Sequence, residues 1–470
     1  MTDCTARQLE LEGLGRRRVE AAFNGGWVSS DGGALLLREA EKRTGILRRF
    51  AECFTDHREP TRVEFSKEQL VAQRTMMIAL GYEDLVDHDF LRHDPLLATA
   101  IDVMDPTGGD RKRDRDKGKA LAGKSTLNRL ELTAAEVSAD ERYKRIEADF
   151  ARIERLFVEH FLDSHEQAPA EVVLDLDATD DPIHGGQEGR FFHGYYGHYC
   201  YLPLYIFCGD FLLCAKLRPS DIDGAAGSLE EVVRIVQQIR ARWPSVRIIL
   251  RGDSGFARES LMAWAEDNQV DFILGLARNT RLNAILAEEM AVATAEHQQT
   301  GLPARRFKDF RYRTQDTWSR ERRVVGKAEV LPGKTNPRYV VTSMGPQQWT
   351  TRALYEDLYC ARGDMENRIK EQQLDLFADR TSTHWMRSNQ LRLWMASVAY
   401  LLIAAMRRLG LKGTDHEQAQ AGTIRTRLMK IGAIVTVSVR RIRIALSESY
   451  PWQQLFWQAY QNLKLHPLRL

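Results

Sequence analysis

Residues 171–181, EVVLDLDATDD, constrain this chain more tightly than any other stretch. Val172, Val173, Leu174 and Leu176 predict a buried strand of β-branched and aliphatic side chains. Period-two alternation puts Asp175 and Asp177 on one face and Leu174 and Leu176 on the other. Two carboxylates on one strand face repel, and an ionised carboxylate is costly to bury without a partner. The stretch therefore needs positive charge opposite it, and a divalent cation site is the expectation to carry along the chain.

At 470 residues the chain has room for two or three domains, each with a sizeable core. A hydrophobic content of 43% with 28% charged residues excludes a disordered polyelectrolyte and describes a globular protein rich in ion pairs. The formal charge of +2 neither requires nor forbids a polyanionic partner, but its distribution is uneven. Residues 401–470 carry eleven Lys and Arg against three Asp and Glu, a local excess that suits a phosphate backbone. The six cysteines form no C-x-x-C pair, which fits free thiols in a reducing compartment. The N-terminus lacks an apolar core of signal-peptide length. The most apolar run, residues 393–406, is fourteen residues long, too short for a bilayer and expected to be a buried core helix. A cytoplasmic protein with no membrane partner is expected.

Taken in order, residues 1–165 read as predominantly helical. Asp31-Gly32-Gly33 precedes a helical pattern with Asp31 as its cap, and a second helix is predicted over residues 67–80. His88, Asp89, His93 and Asp94 match no standard ligand spacing and are read as polar loop and helix start. Residues 118–125, GKALAGKS, match a phosphate-loop pattern literally. The charged run DRKRDRDK before them cannot be the buried strand that such a loop requires. A basic loop that contacts DNA, or a linker, is the better reading. Residues 139–163 predict a long amphipathic helix.

Beyond Asp181, two aromatic-rich runs broken by Gly197 and Gly209 predict strands joined by a hairpin turn. His193, His198 and Cys200 lack a fourth zinc ligand and are read as strand positions. A helix over 228–242, a strand over 246–250, a helix over 257–268 and a strand over 270–276 complete an α/β sheet of mixed direction. Asp253 falls at the end of its strand, where ligand sites in such sheets gather. Residues 302–344 predict an arginine-rich β insertion containing Trp318, after which the chain returns to helix. In that helix Tyr359, Arg362 and Glu366 stand at i, i+3 and i+7, on one face, and Lys370 continues it.

An acidic strand, a second acid at a strand end, an inserted β region and a helix bearing Y-x2-R-x3-E together resemble the DDE transposases of bacterial insertion sequences. The closest resemblance is to the thirteen-eighty family. The segments that carry it are GYEDLVDHDFLR, DLDATDDPIHG, the tyrosine-rich hairpin, LRGDSGFA and YCARGDMENRIKE, and it covers most of the chain. The resemblance implies an α/β, ribonuclease H-like mixed-sheet core with a β insertion and helical N- and C-terminal regions. The corresponding divisions are 1–165, expected to bind DNA; 166–300, the first part of the core; 301–345, the insertion; 346–410, the glutamate helix and the helix after it; and 411–470, the basic tail.

The same resemblance places the first acid on Asp177, in the pattern Asp177-Ala178-Thr179, with Asp175 and Asp180 as competitors. The second acid is Asp253 and the third Glu366. Related cut-and-paste enzymes extend the motif to Y-x2-R-x3-E-x6-K, but here that position is Gln373 and the nearest base is Lys370. Three carboxylates suit Mg²⁺, or Mn²⁺ in its place. Arg362 and Lys370 would hold the scissile phosphate, Tyr359 would hydrogen-bond nearby, and Trp318 would stack on an unpaired base. The implied activity is cleavage at element ends and strand transfer, on duplex DNA with terminal inverted repeats and on target DNA, by a synaptic homodimer. The rival readings are a catalytically inactive DNA-binding regulator and a structure-selective nuclease.

Overall fold

The computed structural model describes residues 8–133, 135 and 142–469. Two compact units divide the chain: Met1–Asp149 with Asp375–Phe377 and Val398–Leu470, and Phe150–Leu374 with Ala378–Ser397.

The second unit is built on a nine-stranded sheet. Its main strands, in chain order, are β1 (Glu171–Ala178), β2 (Leu204–Cys208), β3 (Phe211–Lys216), β4 (Arg247–Gly252), β5 (Asp271–Leu276), β6 (Ala304–Tyr312), β7 (Arg322–Leu331) and β8 (Arg338–Thr342). Across the sheet they run β3-β2-β1-β4-β5-β8-β7-β6, and Lys334–Thr335 adds a short strand to β7. β4 pairs parallel with both β1 and β5, and the other pairings in the sheet are antiparallel. This is the mixed α/β sheet expected from the alternation of strands and helices. The β insertion is not a separate body, because β8 pairs with β5 and carries the core sheet outward. Its strands are long runs of Val and Arg, whose apolar side chains join the same core.

Alternation along β1 sorts its residues as the sequence requires. Val172, Leu174 and Leu176 enter the larger core with Leu250 and Leu274. Three helices pack there: α1 (Phe150–Asp163), α2 (Ser228–Arg242) and α3 (Glu259–Asp267). Val173 faces the opposite side, where Ile249, Ile273, Val325 and Val340 meet Leu354, Tyr355 and Leu358 of the glutamate helix. That helix therefore lies over the face that carries Asp175 and Asp177.

The predicted helix over 139–163 begins instead at Phe150, after a short strand, Ile146–Ala148; residues 139–141 lie outside the described ones. Cys4 also lies outside them, and the five described cysteines are free thiols. The apolar run 393–406 falls in the helix Met386–Gly410. This helix is long and apolar enough to cross a membrane by composition alone, but 89% of its most apolar window is buried within the protein.

In the first unit, the predicted helix over 67–80 is present as Lys67–Leu80, closed by a capping box between Ser66 and Gln69. The earlier helical pattern forms two helices, Ala34–Thr44 and Ile46–Glu52, split at Gly45, whose φ of 63° only glycine adopts freely. Asp31 does not cap the first of them. Its carboxylate instead takes the Tyr82 hydroxyl at 2.6 Å and Lys430 at 2.6 Å. The N-terminal region and the basic tail share this unit, for the strand Ala433–Ser438 pairs with Trp27–Ser29.

Candidate active site of the mixed sheet

The register of two parallel strands sets up the site. Arg251 of β4 stands opposite Asp175 of β1, and Gly252 stands opposite Leu176. One step further, Asp253 leaves its strand beside Asp177. The two acids are thus brought to one edge by backbone pairing alone. Gly275 on β5 makes room behind them. A Cβ there would meet the Tyr359 hydroxyl at 2.7 Å and the Ser254 nitrogen at 2.8 Å, so the tyrosine closes directly on the Asp253 loop.

Asp175 and Asp177 share a face but not a role in the structure. Asp175 is buried and held in a fork by Arg251, with Nε–Oδ1 at 2.5 Å and Nη2–Oδ2 at 2.8 Å. The third nitrogen of Arg251 donates to the Leu358 carbonyl at 2.6 Å, which pins the glutamate helix to the sheet. Asp177 has no such partner. One of its oxygens accepts from the Ala178 backbone at 3.0 Å. Burial pushes its carboxyl up to about 7; Arg362 opposes that rise, while Asp253 and Glu366 add to it by repulsion. Asp180 is turned to His198, with Nε2 at 2.8 Å from Oδ2. Asp253 accepts from the Gly255 N–H at 2.8 Å and so starts a short turn.

The glutamate helix is not a uniform α-helix. Wide π-type turns cover Leu354–Tyr359, a tight turn covers Cys360–Arg362, and regular helix resumes over Gly363–Lys370. π turns are uncommon and concentrate at functional sites. The predicted one-sided arrangement nonetheless holds around Arg362. Its guanidinium grips Glu366 at 2.6 Å. Burial would lower its affinity for a proton, but Tyr359, Asp177, Glu366 and Asp253 together hold it above its ordinary value. Burial likewise raises the Tyr359 phenol. Lys370 is exposed at the end of the same helix.

Three carboxylates therefore converge on one arginine. Among the described residues no group of three His, Cys, Asp or Glu stands close enough to hold a metal ion as folded. The side chains nevertheless suit a hard divalent cation: all three offer carboxylate oxygens, and burial holds the Asp177 carboxyl above its usual range, where added positive charge would favour its ionised form.

Beside Asp253 opens a cleft of about 730 Å³. Arg278, Lys334 and Arg338 line it together with Tyr359 and Arg362, and none of these three cations was singled out in the sequence. Arg278 lies in the exposed stretch after β5, Lys334 in the short strand beside β7 and Arg338 at the start of β8, all exposed positions whose spacing along the chain carries no signal. Arg251 was legible in principle, since an arginine two residues before Asp253 shares its face. Trp318 does not present a surface for stacking. It is 5% exposed, packed edge-on against Tyr312 at 5.8 Å and under Arg322 at 5.4 Å.

The sequence decoys are also accounted for. His88 is fully buried on Gln73 at 2.9 Å and is pushed down to about 3 by burial. Asp94 caps a helix through the Leu96 N–H at 2.8 Å, Asp89 accepts from Lys124 N at 3.2 Å, and His93 meets the Gly118 carbonyl at 3.0 Å.

The second unit is thus a mixed α/β sheet with two acids at the ends of adjacent parallel strands and a third on the helix that covers them. The chain belongs to the family described as transposase DDE domain group 1, whose model matches residues 11–468. It is a DNA transposase, an enzyme of DNA cleavage and strand transfer. No curated protein matches its sequence. Among solved structures it is similar to a piggyBac transposase synaptic complex with hairpin DNA, at 13% identity over 85% of this chain and 79% of that one, with a TM-score of 0.41.

Proposed function

We propose that Asp177, Asp253 and Glu366 are the metal ligands of this transposase and that Mg²⁺ is its physiological cation, with Mn²⁺ able to replace it. The observation that supports this most is the convergence of the three carboxylates on Arg362 beside a cationic cleft. A divalent cation there supplies charge neutralisation and an activated oxygen nucleophile for phosphoryl transfer.

The chain's own residues do the rest. Arg362, once released from Glu366, offers a planar fork to the scissile phosphate. Tyr359, backed by Gly275, donates a hydrogen bond next to Asp253. Lys370 extends the positive track along the helix. Arg278, Lys334 and Arg338 hold the strand that runs into the cleft, so that its phosphate is positioned before the chemistry begins.

The substrates in this reading are duplex ends with terminal inverted repeats and a target duplex, joined by a homodimer on cytoplasmic DNA. The free thiols suit that compartment. The test is to incubate the protein with an end-containing duplex and Mg²⁺ or Mn²⁺ and to resolve nicked and joined strands. Undiminished cleavage by Asp253→Ala or Glu366→Ala would overturn the assignment.

A further inference from the structure

The first unit carries a second concentration of positive charge that the carboxylate site does not use. An open cleft of about 750 Å³ lies between the turn Pro60–Arg62, the loop around residues 113–116, the start of the helix Lys124–Glu131 and residues 142–145. Seven arginines line it, against the carboxylates of Glu59, Glu64 and Asp116. Among the described residues Arg62, Arg113, Arg129 and Arg142 make no ion pair. Arg129 and Arg142 are held instead over the Tyr143 ring, at 4.6 Å and 5.1 Å.

The frame of the cleft is fixed from within. Arg111 is buried, stacked on Phe65 at 4.6 Å, and donates to the carbonyls of Glu64 at 3.0 Å and Lys119 at 3.2 Å. It thereby ties the 57–65 segment to the 105–123 loop. Arg58 is forked onto Asp56 at 2.8 Å and 2.6 Å, and Arg145 donates to the His57 carbonyl at 2.9 Å. Arg62 and Arg113 are thus exposed on a braced scaffold, with Arg129 and Arg142 seated on the Tyr143 ring.

Like charges gathered in a concavity repel one another and focus a positive potential outward, an arrangement that gains only when an anion is present. Every one of these seven cations is arginine, whose fork matches phosphate oxygens better than an ammonium does. A small-molecule pocket is lined mostly by apolar groups with few polar ones, the reverse of this cleft. A nucleotide cradle does not fit either, because five of the eight amides of the GKALAGKS loop are already spent. Gly118 N–H donates to Gly108 O, Lys119 to Asp116 O, Leu121 to Arg92 O, Ala122 to Gln73 Oε1 and Lys124 to Asp89 Oδ1. Ser125 at the end of this loop, with Thr126 after it, lines the cleft.

We infer that this arginine cleft is a sequence-independent binding site for the phosphodiester backbone of duplex DNA, separate from the carboxylate site. The inference rests on the transposase reading for the identity of the polyanion. Its contacts are to phosphate, so they position a duplex without reading its bases.

The test uses the full chain and two duplexes of about 30 base pairs, one carrying the element end and one unrelated, with affinity followed by fluorescence anisotropy across a salt series. The variant R62A/R113A/R129A should bind both duplexes at least about tenfold more weakly near 0.1 M salt, with the log–log salt slope reduced by about 2–3. The charge-keeping variant R62K/R113K/R129K should retain most of that slope. In the wild-type protein, hydrogen exchange over residues 57–65 and 111–129 should slow when the unrelated duplex is added, a readout that needs no variant.

Unchanged affinity and slope in the alanine variant, or no protection of these segments, would overturn the inference while leaving the transposase reading intact. A loss confined to the end-containing duplex would overturn it as well, by showing base readout. Failure of the wild-type chain to bind either duplex would remove the DNA premise itself.

Discussion

Asp175 and Asp177 sit two residues apart on one strand face and burial raises both carboxyls, yet only Asp175 is forked by a buried arginine, and a pair of isosteric substitutions should expose the difference. In Asp175→Asn, the guanidinium of Arg251 stays buried with its fork partner neutralised. Removing one member of a buried ion pair costs about 3–5 kcal/mol. The amide can still accept one hydrogen bond, so the low end, about 3 kcal/mol, applies, or a drop of about 10 °C in melting temperature.

In Asp177→Asn the sign reverses. The folded chain holds Asp177 protonated up to about 7, whereas the unfolded chain releases that proton near the ordinary carboxyl value of 3.8. Between those values the native state binds more protons, so wild-type stability falls as pH rises and the contribution is gone above about 7. The gap between the two values corresponds to about 4 kcal/mol, which partial exposure of the side chain reduces to about 2 kcal/mol.

Asp177→Asn should therefore melt above wild type at pH 8 without added metal, and its melting temperature should be flatter between pH 4 and 7, while DNA cleavage is abolished. Scanning calorimetry over pH, with far-UV circular dichroism as a second probe and strand cleavage alongside, measures all of this. The reasoning is refuted if Asp177→Asn is the less stable of the two, or if Asp175→Asn melts like wild type and loses only cleavage.

Further outcomes follow from the same geometry. Gly275→Ala puts a methyl carbon at 2.7 Å from the Tyr359 hydroxyl and 2.8 Å from Ser254 N, so cleavage should fall steeply with DNA affinity nearly kept; equal loss of both would contradict a local effect. Arg322 is 2% exposed and bridges Glu266 at 2.7 Å and Glu259 at 2.6 Å, so Arg322→Met should destabilise by about 3 kcal/mol in chemical denaturation. The carboxyl of Glu259 is raised by burial, but bonds to Arg322 and Ser319 outweigh this and hold it down to about 2. The stability it adds is present above its ordinary value of 4.5 and lost as pH falls through about 2, an acid limb that Arg322→Met should lack. Millimolar Mn²⁺ should raise the melting temperature of wild type but not of Asp177→Asn or Asp253→Asn, since only a ligand bound to the native state stabilises it.

Much of the core was legible because its strands obey simple periodicities. Alternation in β1 sorted Leu174 and Leu176 from Asp175 and Asp177 before any partner strand was known, and the large cluster confirms the sorting. The helix Ser228–Arg242 lies where its apolar spacing puts it. What could not be read was pairing between distant segments. Nothing in FKDFRYRT or RYVVTSM says that these strands extend the core sheet through β5, since strand pairing is set by tertiary context as much as by local pattern. The short strand Ile146–Ala148 and the hairpin Ala433–Ser438 with Arg441–Leu446 were missed for the same reason, lying inside stretches read as helix or basic tail.

The site divides along the same line. Its acids were legible as residue types at strand ends and on a helix face, but the choice between Asp175 and Asp177 was not, because one-dimensional spacing makes them equivalent. Parallel register separates the two: it sets Arg251 against Asp175 in a buried fork and leaves Asp177 near Asp253, outside that fork and facing Arg362. The same arginine reaches the Leu358 carbonyl, so the ion pair that holds Asp175 also seats the helix that carries Arg362 and Glu366. An acid that sequence alone leaves as a competitor for the metal thus becomes, through its arginine, the residue that seats the helix carrying Glu366, the third ligand we propose.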